Sequence, residues 1–312
     1  MRAAVCTRYG PPEVLQVQEI EKPAPRADEV LIKNYATSVT ASDWFIRSGL
    51  SFAPVTSQIQ MRLVIGIARP RNPILGVVVA GEIEEAGKRV EGFRVGDRVY
   101  AFTKFRFGAY AQYSCLPESA TMGSAPSNLT HEEAAAVPYG GLLALHFLRK
   151  GSVRRGHQVL IYGASGAVGT SALQLAKHFG AVVTAVCGTA NLELARSLGA
   201  DAVKDYMKEH APRGGELYDL VLDAVGRRKT SRLKVACKAA LAPGGRFVSV
   251  DDAMPRMAAR DLALLTEIVE AGGVKPVIDR RYPLERIAEA HRYVEGGHKK
   301  GNVIVTVSHA GA

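Results

Sequence analysis

Three hundred and twelve residues exceed one typical domain and suit two, with enough chain to bury about 75% of the unfolded surface. Hydrophobic residues at 47% and charged residues at 22% exclude a disordered chain, and the longest apolar runs, Ile74 to Ala80 and Ala181 to Cys187, fall far short of the roughly 18 residues that span a bilayer. Forty Lys and Arg against thirty Asp and Glu leave a charge of +10, which suits nucleic acid, an acidic membrane surface or a phosphate-bearing ligand.

The basic residues, among them Arg69, Arg71, Arg154, Arg155, Arg280 and Arg281, are scattered and not interleaved with aromatics, so no dedicated nucleic-acid site is expected, and the lack of a bilayer-length apolar run leaves no membrane partner expected either. Cys6, Cys115, Cys187 and Cys237 are far apart and form no C-x-x-C, which encodes neither a disulfide framework nor a zinc clip. The first residues lack the apolar core of a secretory signal, and a reducing, cytoplasmic setting is the expectation.

Up to about residue 125 the chain reads as short strands between Gly and Pro: Val30 to Tyr35, Ile74 to Glu84, Arg98 to Phe102 and Ala109 to Cys115. Thr130-His131-Glu132-Glu133 predicts a capping box that opens a helix over Glu132 to Val137, with a second helix over Gly141 to Arg149. Strands and helices then alternate. Strands are expected at Val159 to Tyr162, Val182 to Val186, Leu217 to Leu222 and Arg246 to Val250; helices at Val168 to Phe179, Asn191 to Leu198 and Ser231 to Ala240. That alternation predicts a doubly wound parallel sheet. Helices over Leu262 to Glu270 and Leu284 to Val294 lead to a strand, Asn302 to Val307, whose β-branched residues match the first part of the chain.

The most informative stretch is Val159-Leu160-Ile161-Tyr162-Gly163-Ala164-Ser165-Gly166-Ala167-Val168-Gly169. A buried strand ends in a tight turn, and the next helix aims unpaired amides and its positive dipole end at what lies ahead, an arrangement that favours a pyrophosphate. Gly163 permits the turn, Gly166 lets a phosphate approach, and Gly169 lets helix and strand pack closely. An NAD site wants a carboxylate about 20 residues on, for the ribose 2′-hydroxyl. Nothing from Ala164 to Leu192 is acidic; Gly188, Thr189 and Asn191 offer small polar contacts instead. NADPH is therefore preferred, with NADH the alternative, because no arginine at Ala190 clamps a 2′-phosphate.

The chain resembles the medium-chain dehydrogenase/reductase superfamily, in its zinc-free quinone oxidoreductase (zeta-crystallin-like) branch. The resemblance rests on Tyr9-Gly10-Pro11-Pro12-Glu13-Val14-Leu15, Phe93-Arg94-Val95-Gly96-Asp97-Arg98-Val99-Tyr100, Gly108-Ala109-Tyr110-Ala111-Gln112-Tyr113, Glu133-Ala134-Ala135-Ala136-Val137-Pro138, the glycine-rich turn, Leu198-Gly199-Ala200-Asp201 and Lys300-Gly301-Asn302-Val303-Ile304-Val305. It implies an α/β architecture: a GroES-like β-domain over 1–125, completed by 276–312, and a Rossmann nucleotide-binding domain over 126–275, with the active site in the cleft between them.

Zinc members carry a ligating Cys in the stretch matching Thr40-Ala41-Ser42-Asp43 and a His in the stretch matching Gly76-Val77-Val78; this chain has neither, so no metal is expected. What the resemblance implies instead is hydride transfer from NADPH to a quinone or an α,β-unsaturated carbonyl. The segment matching the family's N-x-x-D-x-x-x-R-x-G places Thr40, Asp43, Trp44 and Arg47 near the nicotinamide, with Tyr139 and Leu143 opposite. Thr40 stands where Asn is usual, and Leu143 where Thr is common. Asp43, Tyr139 and Arg47 are the catalytic candidates; Asp43 also reads as a helix N-terminal carboxylate and Trp44 as packing. Tyr206, Val225 and Lys300 complete the cofactor contacts, Tyr206 and Lys300 also reading as a loop side chain and a solvated charge.

Only residues 251–261 lie between Val250 and the helix at Leu262, where relatives carry a longer insert holding the strand through which many dimerise, so a monomer or a non-standard dimer is expected. A reading of another class is an NADPH-binding sensor or scaffold with little turnover and a protein or nucleic-acid partner.

Overall fold

The computed structural model describes residues 1–50, 55–212, 215–226, 230–252 and 255–309. In chain order the elements are β1 (Arg2–Cys6), β2 (Leu15–Glu19), β3 (Glu29–Val39), α1 (Ala41–Arg47), α2 (Val55–Ile65), β4 (Val78–Ala86), β5 (Arg98–Phe102), β6 (Tyr113–Pro117), β7 (Thr121–Ser124) and α3 (His131–Ala135). There follow α4 (Pro138–Lys150), β8 (Gln158–Tyr162), α5 (Ala167–His178), β9 (Val182–Cys187), α6 (Leu192–Ser197), β10 (Ala202–Asp205), β11 (Tyr218–Asp223), α7 (Arg232–Ala239) and β12 (Leu241–Ser249). The chain closes with α8 (Ala259–Glu270), β13 (Ile278–Pro283), α9 (Ile287–Glu295) and β14 (Asn302–Thr306).

Two compact units result: 1–138 with 258–266 and 278–312, and 139–257 with 267–277. The first is built on a sheet in the order β13-β14-β3-β4-β5-β7, with β6 also on β3 and a separate β1-β2 ribbon. This unit runs through to Pro138, α3 packing on β3 and β4. The start of α8 also belongs here: the Tyr100 hydroxyl donates to the Leu262 carbonyl at 2.9 Å. β14 pairs antiparallel with β3, Val305 opposite Thr37, and so returns the end of the chain to the first sheet. Val30, Ile32, Val79, Val99 and Leu116 form the core of this unit.

The strand expected from Ile74 begins only at Val78, because Gly76 is left-handed (φ +94°) and breaks the extended run. The one expected from Ala109 likewise starts at Tyr113: Tyr110 gives its carbonyl to Ala4 N and Ala111 makes only an isolated bridge to Ala3.

The second unit is a parallel sheet in the order β10-β9-β8-β11-β12, five strands among the described residues. Val159, Leu160 and Ile161 of β8 are fully buried, which is why a central strand covered on both faces reads as a continuous apolar run. α5 ends where Gly180 turns left-handed (φ +78°), its amide closing onto Lys177 O. Residues 253 and 254 of the short connection to α8 lie outside the described residues.

Candidate cofactor site and active-site segments

β8 delivers the chain into the glycine-rich turn, and its three glycines have three different surroundings. Gly163 has φ +83°, and a Cβ there would stand 2.3 Å from Val225 Cγ1, so no side chain fits. Gly169, in the first turn of α5, comes so close that a Cβ would lie 2.1 Å from the Gly163 carbonyl oxygen. Gly166 is different: it is the N-cap of α5, and among the described residues a Cβ there would meet nothing nearer than 3.7 Å. No side chain caps this helix. Its first amides therefore lack intrahelical acceptors and face an open side with the positive end of the dipole behind them. Ala164, Ala167 and Val168 are buried in the turn, Ser165 half-buried.

Next to this turn, Asn191 Nδ2 donates to Ser165 Oγ at 3.2 Å. Its Oδ1 is buried with no hydrogen-bond partner among the described residues, an acceptor that a ribose hydroxyl would satisfy. Tyr206 lies over Gly188, where a Cβ would stand 3.2 Å from the phenolic oxygen. These residues fit a dinucleotide.

A carboxylate that sequence reasoning missed also sits here. The parallel register sets Asp205 beside Cys187, and its side chain accepts from the Thr189 hydroxyl and, at 2.9 Å, from Met207 N. The window from Ala164 to Leu192 stops short of it; only the pairing of β10 with β9 brings it in. Thr189 thereby gives its proton to Asp205 and can only accept toward a ligand.

At the C-terminal end of β11, Asp223 pairs with Lys234 Nζ at 2.7 Å, both side chains largely buried. Asp223 Oδ1 also accepts from Val225 N at 3.2 Å and Gly226 N at 3.1 Å, fixing the loop whose Val225 covers Gly163. The Tyr162 hydroxyl meets Ser231 Oγ at 2.8 Å. On α4, Tyr139 and Leu143 lie about one turn apart, both half-exposed, and a Cβ on Gly140 would strike the Ala167 carbonyl at 2.4 Å, so α4 packs directly on the start of α5.

The other predicted segment belongs to the first unit. Thr40 is the N-cap of α1 and Asp43 its N3 residue, and they form a capping box: Thr40 N donates to Asp43 Oδ2 at 2.8 Å, and Asp43 N to Thr40 Oγ1 at 3.3 Å. The Thr40 hydroxyl also donates to Asp43 Oδ2, at 2.6 Å. Asp43 is 1% exposed, and burial pushes its carboxyl up to about 6 against the opposing pull of the Thr40 hydroxyl and N–H and of the nearby Tyr110 hydroxyl. Arg47 is fully buried, one guanidinium nitrogen on the Gly10 carbonyl and the other 2.7 Å from Glu295.

Of these two candidates, Asp43 caps the start of α1 and Arg47 ties its end to Gly10 and Glu295. Trp44, 7% exposed, is mostly packed. Two further members were missed: His291 on α9, fully buried, meets the Tyr110 hydroxyl at 3.1 Å, and burial and the Arg47 charge hold its imidazole well below its usual range. Their partners lie in distant parts of the chain, so no local signal marks them.

Lys300 is exposed in the first unit, its backbone N–H on Asp279 at 2.9 Å. Val77 and Val78, in the stretch where zinc members carry a ligand, are buried hydrocarbon, and among the described residues no three His, Cys, Asp or Glu side chains are grouped to hold a metal ion. No helix among the described residues is long and apolar enough to cross a membrane.

Residues 26–137 match the alcohol dehydrogenase GroES-like domain, and residues 167–289 the family described as zinc-binding dehydrogenase. The chain is 32% identical to the chloroplastic NADPH-dependent alkenal/one oxidoreductase of Arabidopsis thaliana, over 98% of this chain and 79% of that protein. The quinone oxidoreductase of Coxiella burnetii superposes with a TM-score of 0.83 at 26% identity, covering 99% of each chain. An NAD-dependent alcohol dehydrogenase superposes with a TM-score of 0.83 at 30% identity, covering 99% of this chain and 100% of that one.

Proposed function

The chain belongs to the medium-chain dehydrogenase/reductase superfamily, and from that premise we propose that it is a zinc-independent reductase delivering hydride from NADPH to quinones or α,β-unsaturated carbonyls. The observation that carries the reading is the glycine turn: Gly163 and Gly169 are closed to any side chain while Gly166 stays open before the uncapped start of α5. The bound nicotinamide supplies the hydride. This chain's part is to hold the pyrophosphate on the amides of Gly166 to Gly169, to accept a ribose hydroxyl on Asn191 Oδ1, and to align an acceptor. Thr40, Trp44, Tyr139 and Leu143 are the proposed lining of the nicotinamide side. Of the catalytic candidates, Tyr139 keeps its side chain partly open, and its hydroxyl is the proposed hydrogen-bond donor to the acceptor oxygen. Asp43 and Arg47 act as positioning residues through α1.

Zinc does not fit the buried Val77 and Val78 at one ligand stretch or Thr40-Ala41-Ser42-Asp43, which has no Cys or His and whose carboxylate is spent on capping α1, at the other, and no step runs through it. A reducing, cytoplasmic setting is part of the same proposal, supported by Cys6, Cys115, Cys187 and Cys237 all being free thiols. NADH is the second reading, favoured by the Asp205 carboxylate behind Thr189.

The test is oxidation of NADPH and NADH by a panel of quinones and enones after chelator treatment, with the dissociation constant of each cofactor measured in parallel. Chelator-resistant turnover with NADPH is expected. Turnover restored only by added zinc would overturn the metal-free reading, and tight NADPH binding without turnover on any acceptor would replace the reductase by a sensor.

A further inference from the structure

Four large apolar side chains stand in the open within nine residues of the first unit: Ile59 (58% exposed), Leu63 (55%) and Val64 (52%) on α2, and Ile67 (66%) just beyond it. The helix is not merely loose. Its inner side is tied down: Ile65 is buried, Arg62 donates to the Gly49 carbonyl at 3.1 Å and lies over the Tyr9 ring, and the Tyr9 hydroxyl donates to the Gly66 carbonyl at 2.7 Å. Fixing that side fixes the apolar side outward.

The charges carried by this stretch of the chain have one sign, and Arg69 and Arg71 are the exposed ones. No Asp or Glu occurs between Asp43 and Glu82, a stretch that carries Arg47, Arg62, Arg69 and Arg71. Arg69 and Arg71 are exposed beside the patch, and Arg71 also closes α2 by donating to the Leu63 carbonyl at 2.7 Å. A second projection adjoins it: Asn72 Nδ2 donates to the Arg106 carbonyl at 2.8 Å, tying the end of this stretch to a turn whose Lys104, Phe105 and Arg106 are all exposed. Between Asp97 and Glu118 there is again no carboxylate.

We propose that this face docks on an anionic phospholipid bilayer, with α2 lying in the plane of the interface. Apolar side chains projecting from a helix tied down on its inner side, with exposed arginines beside them and no carboxylate in their own stretch of chain, match the boundary between acyl chains and anionic headgroups, where hydrocarbon is buried and guanidinium groups stay at phosphate level. An acidic protein would meet the arginines but leave the apolar side chains uncompensated; a second copy of this chain would bring like charges together. The docking is peripheral, and it revises the expectation of no membrane partner drawn from the lack of a spanning helix. It stands independently of the catalytic reading.

The test is flotation of the whole protein with vesicles of equal parts phosphatidylcholine and phosphatidylserine, beside vesicles of phosphatidylcholine alone. Binding to the anionic vesicles only, weakened by raised salt, is expected. Arg69→Gln with Arg71→Gln should weaken it by about an order of magnitude or more, on the scale of one surface charge each, and Leu63→Ser with Ile67→Ser should abolish it. Circular dichroism and light scattering on the same variants report folding and mass. Failure of the unaltered protein to float overturns the proposal, as does equal flotation of a folded Ser variant. A fall in molecular mass in the Ser variant with no vesicle binding by the unaltered protein would assign the face to self-association instead, and binding of acidic polypeptide in place of vesicles would assign it to a protein partner.

Discussion

The Gly163 carbonyl oxygen stands 2.1 Å from where a Cβ on Gly169 would lie, while at Gly166, three residues earlier, a Cβ would meet nothing closer than 3.7 Å among the described residues. One turn thus contains a packing glycine and an access glycine, and the two are separable by experiment. Gly169→Ala forces backbone against backbone and should lower the melting temperature as well as cofactor affinity. Gly166→Asp sets a carboxylate against the pyrophosphate and should abolish NADPH binding while leaving the melting temperature nearly unchanged. Thermal melts with a fluorescence titration of NADPH distinguish them; unaltered affinity in Gly166→Asp would sink the assignment.

Ala190 is exposed in the short helical turn that follows β9, beside Thr189. Ala190→Arg should raise affinity for NADPH over NADH by about tenfold, the effect of one charge-assisted contact to a 2′-phosphate. The ratio of the two dissociation constants is the readout, and a ratio that does not move places the adenosine ribose elsewhere.

Asp43 gives the fold a pH signature. Burial raises its carboxyl to about 6 from the ordinary 3.8, so between about pH 4 and 6 the native state holds a proton that the unfolded chain has released. Its contribution to stability therefore falls as pH rises through that window. Asp43→Asn removes the titration, and the stability of this variant relative to the unaltered protein should climb between pH 4 and 7, by on the order of 2–3 kcal/mol. His291 has the opposite sign: its imidazole is held neutral, so stability is lost as pH falls below 6.5. Denaturant titrations across pH with Asp43→Asn and His291→Gln separate the two.

The Asp223–Lys234 pair holds the loop over the glycine turn, and removing one partner leaves the other charge buried. Lys234→Met should cost about 3–5 kcal/mol and weaken NADPH binding. Adding Asp223→Asn should restore much of the stability, because an amide still accepts from Val225 N and Gly226 N. A double variant no more stable than Lys234→Met would show that the pair is not the source of the loss.

Local signals were legible wherever a spacing carries the physics. The Thr130–Glu133 capping box, the α5 stop at Gly180, β5 at Arg98–Phe102 and the tight turn at Gly163 and close packing at Gly169 can all be read along the chain and are found in the structure. Short elements with no periodicity of their own, such as β10 and β13, left no such mark.

Thr40 and Asp43 mark the limit. Their spacing encodes a capping box, and a capping box is what forms; that the carboxylate is buried beside the Tyr110 hydroxyl, itself met by His291, depends on distant parts of the chain. Asp205 is the converse, an acidic residue outside the expected window that parallel pairing with β9 carries to Thr189. By itself the sequence determined what depends on neighbours along the chain: caps, turns, the alternation of strand and helix, and a glycine turn open to phosphate. The tertiary structure alone decided which polar groups are sealed in, which carboxylate stands behind Thr189 and which apolar side chains stay in the open, because burial and pairing are set by residues that meet only when the sheets assemble.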